Sequence, residues 1–188
     1  MPIDVKPLAI PEVVLITPPI FRDPRGFFSE TYNSTMLAAA GIGQAFVQDN
    51  HALSRSKGVL RGLHFQIDPH AQGKLVRVVR GAILDVAVDI RRGSPSFGRW
   101  VGVQLSADDF RQLYLPPGFL HGFCVLTESA DVAYKCTAPW SPADEISVRW
   151  DDPDLAVVWP IADPVLSARD AAAPRLADLL GRLPRYAG

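Results

Sequence analysis

Proline or glycine interrupts this 188-residue chain every few positions, with seventeen of the first and fourteen of the second. Proline lacks the amide hydrogen and clashes inside a helix, so a share well above the usual figure of about 5% leaves little room for long helices. Between the breaks lie short runs that alternate in polarity. In residues 83–90 (ILDVAVDI), Leu84, Val86, Val88 and Ile90 face one way, and Asp85, Ala87 and Asp89 the other. Period two marks a strand with two different faces. Residues 74–79, 100–105, 112–115, 123–126, 132–137 and 146–150 read the same way. Turn signals separate them at 92–95 (RGSP), 116–118 (PPG), Ala138-Pro139 and Asp152-Pro153. Many short strands at this spacing point to a sandwich or barrel.

Helix is confined to two places. Residues 33–40 form a short one, stopped by Gly41. Near the end, Ser167-Ala168-Arg169-Asp170 has the form of a capping box, and Leu176, Leu179 and Leu180 share a helical face before Gly181. No repeat or linker divides the chain. The reading is one all-β domain over residues 1–188, with a core at about 16–165 and a helical tail at 166–188.

A hydrophobic share of 48% is ample for a core and excludes a disordered chain. The formal charge of −1 supplies no field that would gather nucleic acid or anionic lipid. No apolar run approaches a membrane span, and the start (MPIDVKPLAIPEV) lacks the pattern of a signal peptide. Two cysteines, Cys124 and Cys136, make no disulfide framework. The expectation is a soluble, cytoplasmic protein.

Three clusters carry the candidate chemistry. The densest joins Gln48-Asp49-Asn50-His51, then 57–66 (KGVLRGLHFQ) and Gln72-Gly73-Lys74. There Gly58 and Gly62 flank Leu60-Arg61 and would let backbone approach a ligand. Arg61 offers a planar charged fork, and His64 a group that titrates near neutrality. The second is 115–123 (LPPGFLHGF), a turn followed by His121 entering a strand. The third is Tyr134, on one strand face with Val132 and Cys136. Each has a structural alternative. A strand histidine is commonly a core residue, Tyr134 a packing tyrosine, Asp170 a capping residue and Lys74 a solvated strand end. Arg91-Arg92 reads as a solvated turn.

The spacing from Pro117-Gly118 to His121 resembles the second motif of the cupin barrels. Metal-binding cupins also carry a paired histidine motif with a glutamate, whereas His64 is followed by Phe65-Gln66. One or two histidines without a third ligand make a poor zinc or iron site, so the expectation is a cupin-like barrel without metal.

Taken in order, 23–30 (DPRGFFSE), 48–50 (QDN), 58–66 (GVLRGLHFQ), 85–91 (DVAVDIR), 93–98 (GSPSFG), 117–123 (PGFLHGF), 150–153 (WDDP) with Trp159-Pro160, and 166–170 (LSARD) resemble the dTDP-4-dehydrorhamnose 3,5-epimerase family. The resemblance implies a cupin-type jelly-roll barrel with short C-terminal helices, working as a homodimer with no metal or organic cofactor. It implies a dTDP-4-keto-6-deoxyhexose substrate inverted at C3 and C5. Residue by residue, His64 matches the catalytic base, Tyr134 the opposing acid, Asp170 the carboxylate paired with the base, and Lys74 the group beside the C4 carbonyl oxygen. Arg25, Phe27, Glu30, Gln48, Asn50, Arg61, His121, Trp140, Glu145 and Arg169 match positions at the nucleotide sugar. The arm bearing Arg25 and Glu30 is expected to reach the partner subunit's site. Two positions depart from the family pattern: Trp140 replaces a common tyrosine that stacks near the thymine, and Arg169 a common lysine. Relatives that epimerise a single carbon differ around that aromatic. The alternatives are therefore a C3-only or C5-only epimerase and a non-enzymatic nucleotide-sugar-binding barrel.

Overall fold

The computed structural model describes residues 3–187. In chain order the strands are β1 (Asp4–Pro7), β2 (Val14–Thr17), β3 (Ile20–Asp23), β4 (Gly26–Ser29), β5 (Gln48–Ser54), β6 (Leu60–Gln66), β7 (Lys74–Arg80), β8 (Ala82–Asp89), β9 (Trp100–Ser106), β10 (Gln112–Leu115), β11 (Phe119–Val125), β12 (Ala130–Cys136) and β13 (Glu145–Ser147). They build a six-stranded sheet in the order β1-β2-β10-β7-β12-β5 and a five-stranded sheet in the order β13-β6-β11-β8-β9. β3 and β4 make a separate hairpin. Strands distant in the chain thus lie side by side in two facing antiparallel sheets, the cupin-type jelly roll.

Three apolar clusters hold the layers. Between the sheets, Val76, Val78, Leu113, Leu115 and Val132 meet Ile83, Ala87, Phe119, Phe123 and Val125. The outer face of the five-stranded sheet (Leu63, Phe65, Val86, Val88, Leu120) is covered by Leu155, Leu176, Leu179 and Leu183 from the C-terminal segment. Outside the six-stranded sheet, Leu37 and Ile42 pack on Ile16, Leu75 and Tyr114. Leu37 belongs to α1 (Ser34–Ala39), whose N-terminus is capped by the Asn33 side chain accepting from the Met36 N–H. Such a cap contributes about 1 kcal/mol.

The strand expectations at 74–79, 100–105 and 112–115 fall on β7, β9 and β10, but β11 begins four residues before 123, which puts His121 mid-strand. β13 ends at Ser147, short of 150. β5 and β6 escape the alternation test because β5 is polar on both faces and β6 is broken by Gly62. Residues 176–182 form a 3-10 helix. At three residues per turn Leu176 and Leu179 eclipse, while Leu180 steps off their face and is 47% exposed.

Two further expectations are corrected. Arg91 is no solvated turn residue: its guanidinium bonds Asp89 and Glu12 and lies over the Phe119 ring. Gly58 and Gly62 do not admit a ligand to the backbone. Both have positive φ, and a Cβ at Gly62 would stand 2.6 Å from the Gly122 Cα, one at Gly58 2.5 Å from the Ile161 side chain. These glycines let chain approach chain, and the β6–β11 ladder closes through them.

Candidate active site

The barrel interior that the inter-sheet cluster leaves unfilled is a cavity of about 620 Å³, with Phe123 common to both. Its walls come from the two sheets and from the segment ahead of α2 (Ala168–Ala171). Eleven of the fourteen residues singled out above line it: His64, Lys74, Tyr134, Asp170, Gln48, Asn50, Arg61, His121, Trp140, Glu145 and Arg169. They come from seven different elements and from loop 137–144, so only closure of the barrel brings them together.

His64 sits on β6 in the five-stranded sheet and Tyr134 on β12 in the six-stranded one, so imidazole and phenol enter from opposite walls. His64 Nε2 lies 2.6 Å from Asp170 Oδ1. Burial works to raise the Asp170 carboxyl, but the hydrogen bond and charge of His64, then Ser167 and the Gly62 N–H, hold it below the usual carboxylate range. An ionised carboxylate only accepts, so Nε2 carries the ring proton and Nδ1 the lone pair. Asp170 also occupies the third position of α2, where its N–H is capped by Ser167 Oγ. Its carboxylate faces His64 instead of completing a capping box.

Lys74 is 9% exposed, not a solvated strand end. Burial pushes its ammonium below the ordinary lysine value, against the opposing charges of Cys136, Glu145 and Asp85. Burial, with Cys136 adding to it, pushes the Tyr134 phenol up against the pull of Arg61, so the hydroxyl keeps its proton. His121 stands directly across the β6–β11 ladder from His64, and its Nε2 lies 2.7 Å from Asp85 Oδ1.

Loop 137–144 forms part of the rim. Trp140 donates its backbone N–H to Gln48 Oε1 and its indole N–H to Glu145 Oε2, the oxygen that also receives Arg169. Gln48 passes a hydrogen bond to Asn50, and Asn50 to Cys136 Sγ. Burial would raise the Glu145 carboxyl, but Arg169 and Trp140 hold it down. With 56% of its surface exposed, Trp140 leaves an indole face free at the cavity mouth.

Arg25, Phe27 and Glu30 do not line this cavity. Arg25 and Phe27 belong to the β3–β4 hairpin region, where Arg25 pairs with Asp23 and Phe27 leans on Phe110. Glu30 accepts from Asn33. Gln72, Cys136, Phe123 and Ser167, named in the sequence motifs but given no site role, also line the cavity, and Asp85 stands behind His121. Cys136 was signalled by its alternation with Tyr134, and Asp85 by an acid at mid-strand. Among the described residues, no three His, Cys, Asp or Glu side chains converge as a metal site, and no helix is long and apolar enough to cross a membrane.

A family model described as dTDP-4-dehydrorhamnose 3,5-epimerase matches residues 7–178. The protein of that name from Pseudomonas aeruginosa is 53% identical over 173 residues, 91% of this chain and 94% of its own. Among solved structures, the dTDP-6-deoxy-D-glucose-3,5-epimerase of Legionella pneumophila, in complex with dTDP-4-keto-L-rhamnose, superposes with a TM-score of 0.93 at 48% identity, covering 99% of this chain and all of the other. A 3'-monoepimerase from Streptomyces bikiniensis, in complex with dTDP-quinovose, gives 0.89 at 41% identity, covering 96% and 92%. With a match of this extent in both sequence and fold, the chain belongs to the dTDP-4-dehydrorhamnose 3,5-epimerase family.

Proposed function

We propose that the protein is an isomerase that epimerises dTDP-4-dehydro-6-deoxy-D-glucose at C3 and C5 to dTDP-4-dehydro-L-rhamnose. The observation that carries this reading is one cavity flanked by an imidazole on one sheet, paired with a carboxylate from α2, and a protonated phenol on the other sheet, with a buried lysine in the same lining.

A C4 ketone acidifies the hydrogens on both neighbouring carbons, because either carbanion spreads onto O4 as an enolate. Such chemistry needs a base, an acid and a charge at the oxygen, and no redox partner. His64 takes the proton at Nδ1, and Asp170 steadies the imidazolium that forms. Lys74 offsets the charge developing on O4. Tyr134 returns a proton to the opposite face, which inverts the carbon, and regains its own from solvent. Arg61, held by Ser54 Oγ and the Leu53 carbonyl, is placed to take the diphosphate through charge-assisted bonds. The exposed Trp140 face suits a nucleobase at the mouth.

The site is completed by a second copy of the chain. The β3–β4 hairpin carries Arg25 away from its own cavity and exposes the Phe21, Phe27 and Phe28 side chains, an apolar surface suited to burial against a partner. In a homodimer with exchanged arms, Arg25 meets the partner's diphosphate. Sedimentation is expected to give a dimer, and Arg25→Ala to raise KM about tenfold or more with the dimer intact. An unchanged KM rejects the exchanged arm.

The reaction is read by incubating protein and substrate in deuterated water. Exchange at C3 and C5 supports the 3,5-epimerase. Exchange at one carbon selects a single-carbon enzyme, the reading that Trp140 and the Streptomyces bikiniensis neighbour keep open, and exchange at neither selects a binder. Tyr134→Phe is expected to slow net inversion more than deuterium washout, since washout requires only removal of the proton. Equal losses would take the role of acid away from Tyr134.

A further inference from the structure

Loop 137–144 at the cavity rim has no helix or strand of its own, yet its backbone is not left to solvent. Three glutamine side chains hold it. Gln72 Nε2 donates to the Ala138 carbonyl at 2.8 Å and Gln66 Nε2 to the Pro139 carbonyl at 3.1 Å. Gln48 Oε1 accepts the Trp140 N–H and Gln66 Oε1 the Ser141 N–H, each at 2.8 Å. Four consecutive residues, 138–141, are thus tied to β5, to the end of β6 and to the segment that follows β6. Loops at a binding site are ordinarily the mobile part of a fold, and this one is pinned.

Gln66 is the centre of the arrangement. It is 3% exposed, and its second amide hydrogen goes to the His70 carbonyl at 2.6 Å. Both donors and the oxygen of one primary amide are therefore spent between two loops, a set that neither a carboxylate nor a thioether can supply. Gln48 and Gln72 line the cavity, whereas Gln66 does not. Its contacts are with Pro139 and Ser141, the two chain neighbours of Trp140. The indole is held at its other end, where its N–H donates to Glu145 Oε2. Glu145 opens β13 and is the cross-strand partner of Gln66. Backbone and side chain of Trp140 are thus both referred to the β6–β13 ladder.

Resting on the epimerase reading, we propose that Gln66 is a positioning residue for substrate recognition. By tying loop 137–144 to β6 and to the segment carrying His70, it holds the Trp140 indole in place at the cavity mouth before the nucleobase arrives. Gln66 touches no substrate in this scheme. A platform fixed in advance spares the cost of ordering it on binding, and the saving reaches only ligands that have a base to stack.

Gln66→Met keeps the length of the side chain and removes all three hydrogen bonds. It is expected to weaken dTDP binding about 3–10-fold, the usual scale for a side chain that must be ordered on binding. Inorganic pyrophosphate, which Arg61 takes without a base, is expected to bind as before. In a Trp140→Ala background the same substitution is expected to cost dTDP nothing further, because the two residues act as one unit. Calorimetric titration of the four proteins reads each of these. Equal losses for both ligands would mean that Gln66 only supports the fold. That result, no loss for dTDP, or a loss that persists without Trp140 overturns the proposal.

The chain has four tryptophans, so fluorine NMR of protein carrying 5-fluorotryptophan, with the Trp140 signal identified by its loss in Trp140→Phe, reads the platform directly. The unaltered protein without ligand is expected to give one Trp140 signal displaced from the unfolded position. Gln66→Met is expected to divide that signal or return it toward the unfolded position, with Trp100, Trp150 and Trp159 unmoved. A divided or unfolded-like Trp140 signal in the unaltered protein overturns the proposal even if Gln66→Met fails to fold. A protein that binds dTDP but washes out no deuterium defeats the epimerase reading instead. The comparison of dTDP with pyrophosphate still reports on Gln66 there, so the two failures are told apart.

Discussion

Replacing His64 with alanine is expected to lower kcat/KM by about 10²–10⁴-fold, the usual worth of a positioned general base. Deuterium washout should fall with it at both carbons, because His64 is the imidazole partly open to the cavity. Nε2 of His64 is committed to Asp170 at 2.6 Å, which leaves Nδ1 as the acceptor. His121 has the same arrangement, against Asp85, but is buried, with 6% of its surface exposed. Steady-state kinetics together with washout checks the assignment, and a washout rate near that of the unaltered protein would move the base elsewhere. The substitution also alters acid stability. His64 helps hold the Asp170 carboxyl low, so the pair's contribution is complete above about pH 4, the unfolded carboxylate value, and lost as the pH falls through the lowered folded one. His64→Ala should flatten that acid limb in a series of urea titrations.

Lys74→Met is expected to cost about 10²–10³-fold in kcat, the effect of removing one preorganised group from a developing oxyanion. KM should change much less, because Arg61, the nucleobase platform at Trp140 and the rest of the cavity remain. The decisive pattern lies in the comparison with Tyr134→Phe. Without Lys74 the enolate does not form, so inversion and washout fall together. Without the phenol the enolate forms and is quenched from the wrong side or by solvent, so washout outlasts inversion. A Lys74→Met protein that retains washout while losing inversion would exchange the roles of these two residues. Circular dichroism and gel filtration establish that the variant is folded, since the substitution replaces a buried side chain.

Strand content was legible along much of the chain because proline and glycine set the breaks and residues such as Leu84, Val86 and Val88 alternate with Asp85, Ala87 and Asp89 between them. The alternation marks two faces but carries no sign that says which is inside. In β8 both are buried: Val86 and Val88 lie under the C-terminal segment, and the face bearing Asp85 and Asp89 looks into the barrel or its closing turn, where His121 bonds one oxygen of Asp85 and Ser94 and Ser96 bond Asp89. A rule that sends acids to solvent fails here because each acid has a polar partner inside the fold, distant in the chain for Asp85 (His121) and local for Asp89 (Arg91, Ser94 and Ser96). β5 was hidden for the converse reason, since Gln48, Asn50 and Ala52 line a polar cavity while Asp49 and His51 face outward, and nothing apolar betrays the period.

The primary structure alone determined the fold class, the short helix near residues 33–40, the family and the candidate site side chains, because each of these is written in local patterning or in motifs read in order. Only the tertiary structure decided which of those side chains share a solvent-shielded space. His64 and Asp170 are 106 positions apart, yet their atoms are 2.6 Å apart. Tyr134 reaches the same cavity from the opposing sheet, and Lys74 turns from a strand end into a buried cation. Distances of that kind come from closing two antiparallel sheets over a common core, and burial is what then pushes Lys74 and His121 down and Tyr134 up from their ordinary values. Desolvation is a property of the closed barrel as a whole, and no stretch of chain contains it.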